Sequence, residues 1–99
     1  METKILFGVG LVFDTPEYGT IVMGANEELD DLLPSTIQGM IGDQIVIKIV
    51  DGEEQIYNVV SSQINPSIAG KKNVGICLGK AVSPDEIVVG SLVYCFSFE

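Results

Sequence analysis

The sequence predicts an all-β fold, and three observations support that prediction. Apolar residues make up 46% of the 99 residues, which suffices for one core in a domain of this size. Short runs rich in β-branched and aromatic residues recur along the chain. Turn-forming residues separate them about every eight to twelve positions, a spacing typical of a sandwich or a closed barrel. A barrel has the advantage that it leaves no strand edge unpaired. We expect residues 1–99 to form a single β domain.

The first two predicted strands form a hairpin. Residues 4–13 are rich in branched and aromatic side chains, and residues 20–24 continue the pattern after a turn. Within that turn, Pro16 fixes its own φ and Gly19 can adopt a positive φ.

An acidic segment, residues 26–38, interrupts the β pattern. Its first half could form one or two helical turns, with Asn26 as the cap. Leu29, Leu32 and Leu33 would then share one face. Pro34 is expected to end this helix.

A second hairpin is predicted in the middle of the chain. Alternating apolar residues mark a strand over 44–50 and a return strand over 55–61. Between them stands Asp51-Gly52, the strongest hairpin signal in the chain.

Two further strands complete the pattern. Loop residues over 65–72 precede a strand over 73–79, and the last strand covers 92–98. Between these strands, Ser83 is suited to cap a short helical turn, with Pro84 at its first position.

The charge of the chain restricts its partners. Fourteen acids against five lysines and no arginine give a net charge of −9. Binding to nucleic acid depends on cations that neutralise phosphates, so we expect no binding to bulk nucleic acid. An anionic membrane would repel the chain. Such a balance favours solubility, and a protein partner, if there is one, is expected to be basic.

The N-terminal pattern and the cysteines predict a compartment. No apolar run approaches the roughly 20 residues that span a bilayer, and neither a long apolar region nor a cleavage site marks a signal peptide. We therefore expect a cytoplasmic protein. There, Cys77 and Cys95 are expected to be reduced and to act as small buried hydrophobes.

Catalysis and metal binding are not expected. The chain has no histidine, which removes the commonest acid–base catalyst and an important metal ligand. Its two cysteines cannot make a four-ligand zinc site alone, and residues 27–31 lack the spacing of a calcium loop. We therefore predict no metal, no cofactor and no enzyme activity. Thiol-dependent chemistry is the one catalytic alternative, and the acidic chain disfavours a thiolate.

Four segments, in order, resemble the second domain of elongation factor Tu and other translational GTPases. They are residues 13–24 (FDTPEYGTIVMG), 41–47 (IGDQIVI), 69–78 (AGKKNVGICL) and 86–93 (EIVVGSLV). The resemblance implies a closed six-stranded antiparallel barrel, with residues 26–38 as an insertion outside it. It also implies a binding module that docks a protein partner, one associated with translation. The phosphate-binding loop of the family's GTPase domain is missing, so we expect no nucleotide binding.

The resemblance also carries over a candidate face. In the elongation factor, one face of this barrel holds the aminoacyl end of the tRNA. The matching positions in this sequence are Phe13, Thr15, Ile21, Met23, Gln63, Asn73 and Cys77.

Two questions stay open at this point. Phe13, Ile21 and Met23, the apolar members of the face, would form an apolar platform with a polar rim. Alternatively, they are ordinary barrel side chains, or residues 26–38 cover them. The alternative to a docking module is a structural subunit that self-associates, or a subunit that binds a small ligand. Self-association would use residues 5–13 or the C-terminal strand.

Overall fold

The computed structural model describes residues 2–49, 52–66 and 72–97. The strands are β1 (Glu2–Thr15), β2 (Gly19–Ala25), β3 (Gln44–Lys48), β4 (Glu54–Asn58), β5 (Ser61–Pro66), β6 (Lys72–Gly79) and β7 (Leu92–Ser97). One α-helix, α1 (Pro34–Ile41), and two 3₁₀ turns, Glu27–Leu29 and Pro84–Glu86, accompany them. The chain is mostly β, as predicted.

All seven strands lie in one antiparallel sheet, in the order β4-β3-β7-β1-β2-β6-β5. The long strand β1 joins its two halves: its N-terminal part pairs with β7 and its C-terminal part with β2. The register shifts between Ile5 and Phe7, and again between Val9 and Leu11. Such bulges bend a strand and increase its twist. The bends let both halves of the sheet face one core.

The sheet is open, so the expected closed barrel of six strands is wrong in both closure and strand number. The predicted strand over 55–61 is in fact two strands that lie at opposite edges, β4 and β5. The Val59 amide donates to the Asp43 carbonyl beside β3, at 2.8 Å. The next amide, Val60, donates to the Cys77 carbonyl on β6, at 2.9 Å. The sheet therefore curls until its two edge strands, β4 and β5, meet at Val59 and Val60. Among the described residues, no hydrogen-bonded ladder joins these two strands.

The core lies inside the curled sheet and takes side chains from both halves and from α1. Its buried members are Leu6, Phe7, Val9, Val22, Leu29, Ile37, Ile41, Ile45, Ile47, Val74, Ile76, Leu78, Ile87, Val93 and Cys95. The helix α1 contacts β5 in one half of the sheet and β7 in the other, so it packs between the two halves.

The acidic segment differs from its prediction at Pro34. Asn26 caps the first 3₁₀ turn as expected, and its side chain accepts from the Glu28 amide at 3.0 Å. Pro34, however, begins α1 instead of ending a helix. A proline suits the first helical position because the amide it lacks has no partner there. Leu33 is the extended N-cap of α1 and is 68% exposed, whereas Leu29 is buried, so these leucines do not share a face.

Most of the predicted turn chemistry is confirmed. Gly19 has a φ of 81°. Ser83 caps the second 3₁₀ turn, and Glu86 completes a capping box. Gly52 has a φ of 104° and its amide donates to the Ile49 carbonyl, while Asp51 lies outside the described residues, as do residues 67–71 and 98.

We predict that Ser91→Ala leaves the fold unchanged and raises the free energy of unfolding, or alters it by less than about 0.5 kcal/mol. The Ser91 hydroxyl is fully buried, and no partner for it lies among the described residues. Removing an unpaired buried hydroxyl removes its desolvation cost. Urea denaturation checks this, and a loss of about 1 kcal/mol or more would show that the hydroxyl has a partner.

Candidate functional site

A groove lies on the outer face of the half-sheet formed by β1, β2, β6 and β5. Strand alternation creates this face. Val22 points into the core and is fully buried, while its neighbours Ile21 and Met23 are half-buried and do not belong to the core. Because successive side chains of a strand point to opposite faces, Ile21 and Met23 face outward.

Strand register assembles the groove in two rows across the four strands. The first row consists of Phe13, Ile21, Cys77 and Ser61. The second row consists of Leu11, Met23, Gly75 and Gln63. Directly opposite side chains in adjacent strands lie about 4.5–5.5 Å apart at Cβ, so the first row is a continuous contact surface. The second row is interrupted at Gly75, which has no side chain, and its Leu11 lies outside the lining of the groove.

The groove has a volume of about 460 Å³. Its lining consists of Phe13, Tyr18, Ile21, Met23, Ser61, Ser62, Gln63, Asn65, Gly75 and Cys77. One wall is apolar and comes from β1 and β2, and the other carries the hydroxyl and amide groups of β5. The Met23 side chain lies over Gly75, since a Cβ at Gly75 would be at ordinary contact distance, 3.6 Å, from Cγ of Met23. Among the residues that the structure describes, no charged side chain lines the groove, although the chain carries a charge of −9.

Five of the seven sequence-predicted positions lie together in this groove: Phe13, Ile21, Met23, Gln63 and Cys77. The structure places the other two elsewhere.

Thr15 stabilises the neighbouring turn. Its Oγ1 donates to the Gly19 carbonyl at 3.2 Å and accepts from the Tyr18 amide at 2.9 Å. Asn73 lies one row farther along β6, opposite Ala25 and Asn65.

Sequence reasoning missed five lining residues: Tyr18, Ser61, Ser62, Asn65 and Gly75. Ser61 and Ser62 were missed because residues 55–61 were predicted to form a single strand. A signal did exist in the alternation of polar residues at 61, 63 and 65. Tyr18 reaches the groove because the thiol of Cys77 donates to its carbonyl, with Sγ and O 3.1 Å apart.

The acidic segment does not line the groove. Leu29 belongs to the core. The Asp30 carboxylate accepts from the Lys72 amide at 2.9 Å, and Lys72 Nζ donates to the Asp30 carbonyl. The acidic segment is thus attached to the start of β6, and it leaves Phe13, Ile21 and Met23 uncovered.

The remaining chemistry of the described residues is sparse. Cys77 and Cys95 are both free and buried, as expected. Across the described ranges, no group of three or more His, Cys, Asp or Glu side chains is placed to hold a metal ion. Neither α1 nor any other helix of the described chain is long and apolar enough to cross a membrane.

A second, smaller crevice of about 180 Å³ lies between the β3–β4 hairpin and the turn Pro84–Glu86. Its lining consists of Ile47, Ile49, Glu53, Gln55, Tyr57 and Glu86. Burial raises the pKa of Tyr57 above its ordinary value of 10.0, and the Glu86 carboxylate raises it further.

This pKa shift predicts a loss of stability in alkali. The folded protein holds the Tyr57 proton more tightly than the unfolded chain does. The resulting stabilisation is fully present below pH 10 and is lost as the pH rises through the higher folded pKa. In urea denaturation above pH 10, the free energy of unfolding should therefore fall more steeply for the wild type than for Tyr57→Phe. Parallel curves would contradict the shift.

Comparisons with protein-family models, with curated proteins and with solved structures find no match to this chain.

Proposed function

We propose that this chain is a non-catalytic module that binds a protein segment in the groove between β1–β2 and β5. One observation supports this proposal above the others. Five positions picked from sequence lie in a single open groove, and its described lining residues are all uncharged. Phe13, Ile21 and Met23 are outside the core and are half-buried on the outer face, where a partner can reach them.

The two walls suit a segment that presents an apolar side chain next to exposed backbone. Phe13, Ile21 and Met23 offer an apolar surface, with the Tyr18 ring, 60% exposed, at one end. Aromatic and methionine side chains are enriched at interfaces, where a few anchors supply most of the binding energy. Across the groove, Ser61 and Gln63 can donate to and accept from a peptide backbone. The occupant is therefore an uncharged stretch of a protein partner.

The absence of catalysis is part of the same proposal. Cys77 is the one nucleophilic thiol of the groove, and it is 5% exposed. Its thiol donates a hydrogen bond to the Tyr18 carbonyl, with Sγ and O 3.1 Å apart. The serines have no histidine to activate them, because the chain contains none.

The link to translation rests on the resemblance to the second domain of translational GTPases. It is tested with purified ribosomes and with purified translation factors in co-sedimentation assays. Retention of the wild type and loss of the Phe13→Ala variant would support the link. If the wild type and Phe13→Ala co-sediment to the same extent, the partner of the docking module lies outside translation.

Phe13→Ala and Met23→Ala are each expected to weaken partner binding by about 1–3 kcal/mol, because apolar anchors dominate interface energies. A photo-crosslinking amino acid at position 18 first captures the partner, and titration calorimetry then gives the affinity. Val89→Ala is the matched control, since Val89 is 60% exposed and lies outside the groove. Equal effects of Val89→Ala and Phe13→Ala would exclude the groove as the binding site.

A small ligand is a second candidate, because the groove volume lies within the range of small-molecule sites, roughly 300–1,000 Å³. The lining would select a neutral compound with one apolar and one hydrogen-bonding face. Methyl NMR of Met23 during a screen of neutral compounds distinguishes the two candidates. Saturable shifts that Phe13→Ala abolishes would favour the ligand, and crosslinking to a protein would favour the module.

A further inference from the structure

The edge strand β4 exposes unpaired backbone groups, and its ladder with β3 shows which ones. The Ile49 amide donates to the Glu53 carbonyl, and the Val59 amide donates to the Asp43 carbonyl, both at 2.8 Å. Hydrogen-bonded pairs alternate along an antiparallel ladder, so Gln55 and Tyr57 also direct their backbone groups toward β3. The amides and carbonyls of the residues between them point away from β3. Those residues are Glu54, Ile56 and Asn58.

No strand of the described ranges pairs with this side of β4, which ends the sheet. The side chain of Ile56 is 55% exposed on the face opposite the crevice. An exposed edge of this kind is a template for a further strand. A strand added here would alternate its side chains between the two faces. One set would lie beside Ile56, and the other beside Gln55 and Tyr57.

The crevice on the inner face sets the chemistry of that second set. The side chains of Glu53 and Glu86 line it together with the apolar surfaces of Ile47, Ile49 and Tyr57. None of its described lining residues is a lysine, and the chain has no arginine. Glu86 is a fixed group, because its Oε2 accepts from the Ser83 amide at 3.0 Å. A lysine combines an apolar stem with a compact cationic head, which matches apolar walls and two carboxylates.

We propose that the free edge of β4 binds an extended protein segment with alternating basic and apolar side chains. One basic side chain enters the crevice between Glu53 and Glu86, and an apolar one packs beside Ile56. This site is separate from the groove, shares no lining residue with it and does not depend on its occupant.

A second copy of the chain is the less suitable occupant. In an antiparallel pair of β4 strands centred on Ile56, Gln55 would face Tyr57 of the other copy. No cation would reach either crevice, because β4 contains no lysine. Two chains of charge −9 also repel each other.

The test uses an eight-residue peptide of alternating lysine and valine, fluorescently labelled, with an alternating glutamate–valine peptide as the control. The full chain is titrated at low salt and its affinity measured by anisotropy. Glu53→Gln/Glu86→Gln keeps the shape of both side chains and the capping contact of position 86. Glu17→Gln/Glu28→Gln is the matched control, since it removes the same charge from exposed positions outside the crevice.

We expect the lysine peptide alone to bind, and the crevice variant to bind it at least about fivefold more weakly, because two charge pairs are lost. The control variant should change the affinity by less than about twofold, since long-range charge is screened. Hydrogen exchange should slow at the amides of Glu54, Ile56 and Asn58 when the peptide binds. Failure of the lysine peptide to bind, equal loss in both variants, protection confined to other strands, or dimerisation through β4 would each overturn the proposal.

Discussion

Gly24→Ala is expected to lower the free energy of unfolding by about 3 kcal/mol or more, the upper range for overpacking. A Cβ at Gly24 would lie 2.1 Å from the Gly8 carbonyl oxygen and 2.4 Å from Cδ1 of Phe7. Both neighbours lie where β1 passes from one pairing to the other, since Phe7 pairs with β7 and Gly8 pairs with both β7 and β2. Since a backbone carbonyl cannot rotate aside as a side chain can, the β1–β2 ladder would have to separate.

Gly39→Ala is the matched control for this change. Nothing lies within 4 Å of a Cβ at Gly39, which is exposed on α1. Alanine favours a helix over glycine by about 1 kcal/mol, so this variant should be unchanged or more stable. Urea denaturation measures both proteins. Similar stabilities of Gly24→Ala and the wild type would mean that the close approach of β1 and β2 can relax.

Phe7→Ala is expected to cost about 3–5 kcal/mol of the free energy of unfolding, which is the usual range for a buried aromatic side chain. Phe7 is 1% exposed and lies in the core next to the bend of β1. Removing its ring would leave a cavity where the two halves of the sheet meet. Thermal and urea denaturation measure the loss.

Phe13→Ala makes the same chemical change in the same strand and is the control for Phe7→Ala. Phe13 is half-buried on the outer face and outside the core, so we expect a loss of about 1 kcal/mol or less. A loss as large as that of Phe7→Ala would make Phe13 a structural side chain and would remove it from the proposed binding site.

Local patterns in the sequence predicted the fold class, most strands and the caps. Gly19 and Ser83 act as their residue types predict, because turn and cap conformations depend on a few neighbouring residues. The same locality explains the error at Pro34. A proline fits the start of a helix as well as the residue after its end, and the local pattern favours neither.

The sequence predicted only some of the residues that line the groove. Strand register explains why the others were missed. The resemblance picked Phe13, Ile21 and Met23, and in the structure strand alternation and the β1–β2 register put them on one face. Ser61 and Asn65 join them only because β5 pairs with β6 at the far edge of the half-sheet. No local pattern specifies which strand a given strand will pair with.

The sequence by itself determined an acidic, mostly β chain with turns and caps at the predicted residues, whereas the outward position of Phe13, Ile21 and Met23 stayed open. Tertiary structure decided that the sheet stays open, because the chain over 54–66 divides into β4 and β5, which lie at its opposite edges. It also decided that Gly24 contacts the Gly8 carbonyl and that Glu53 and Glu86 line one crevice. These contacts join residues far apart in sequence, and they form only once the bend in β1 brings both halves of the sheet around one core.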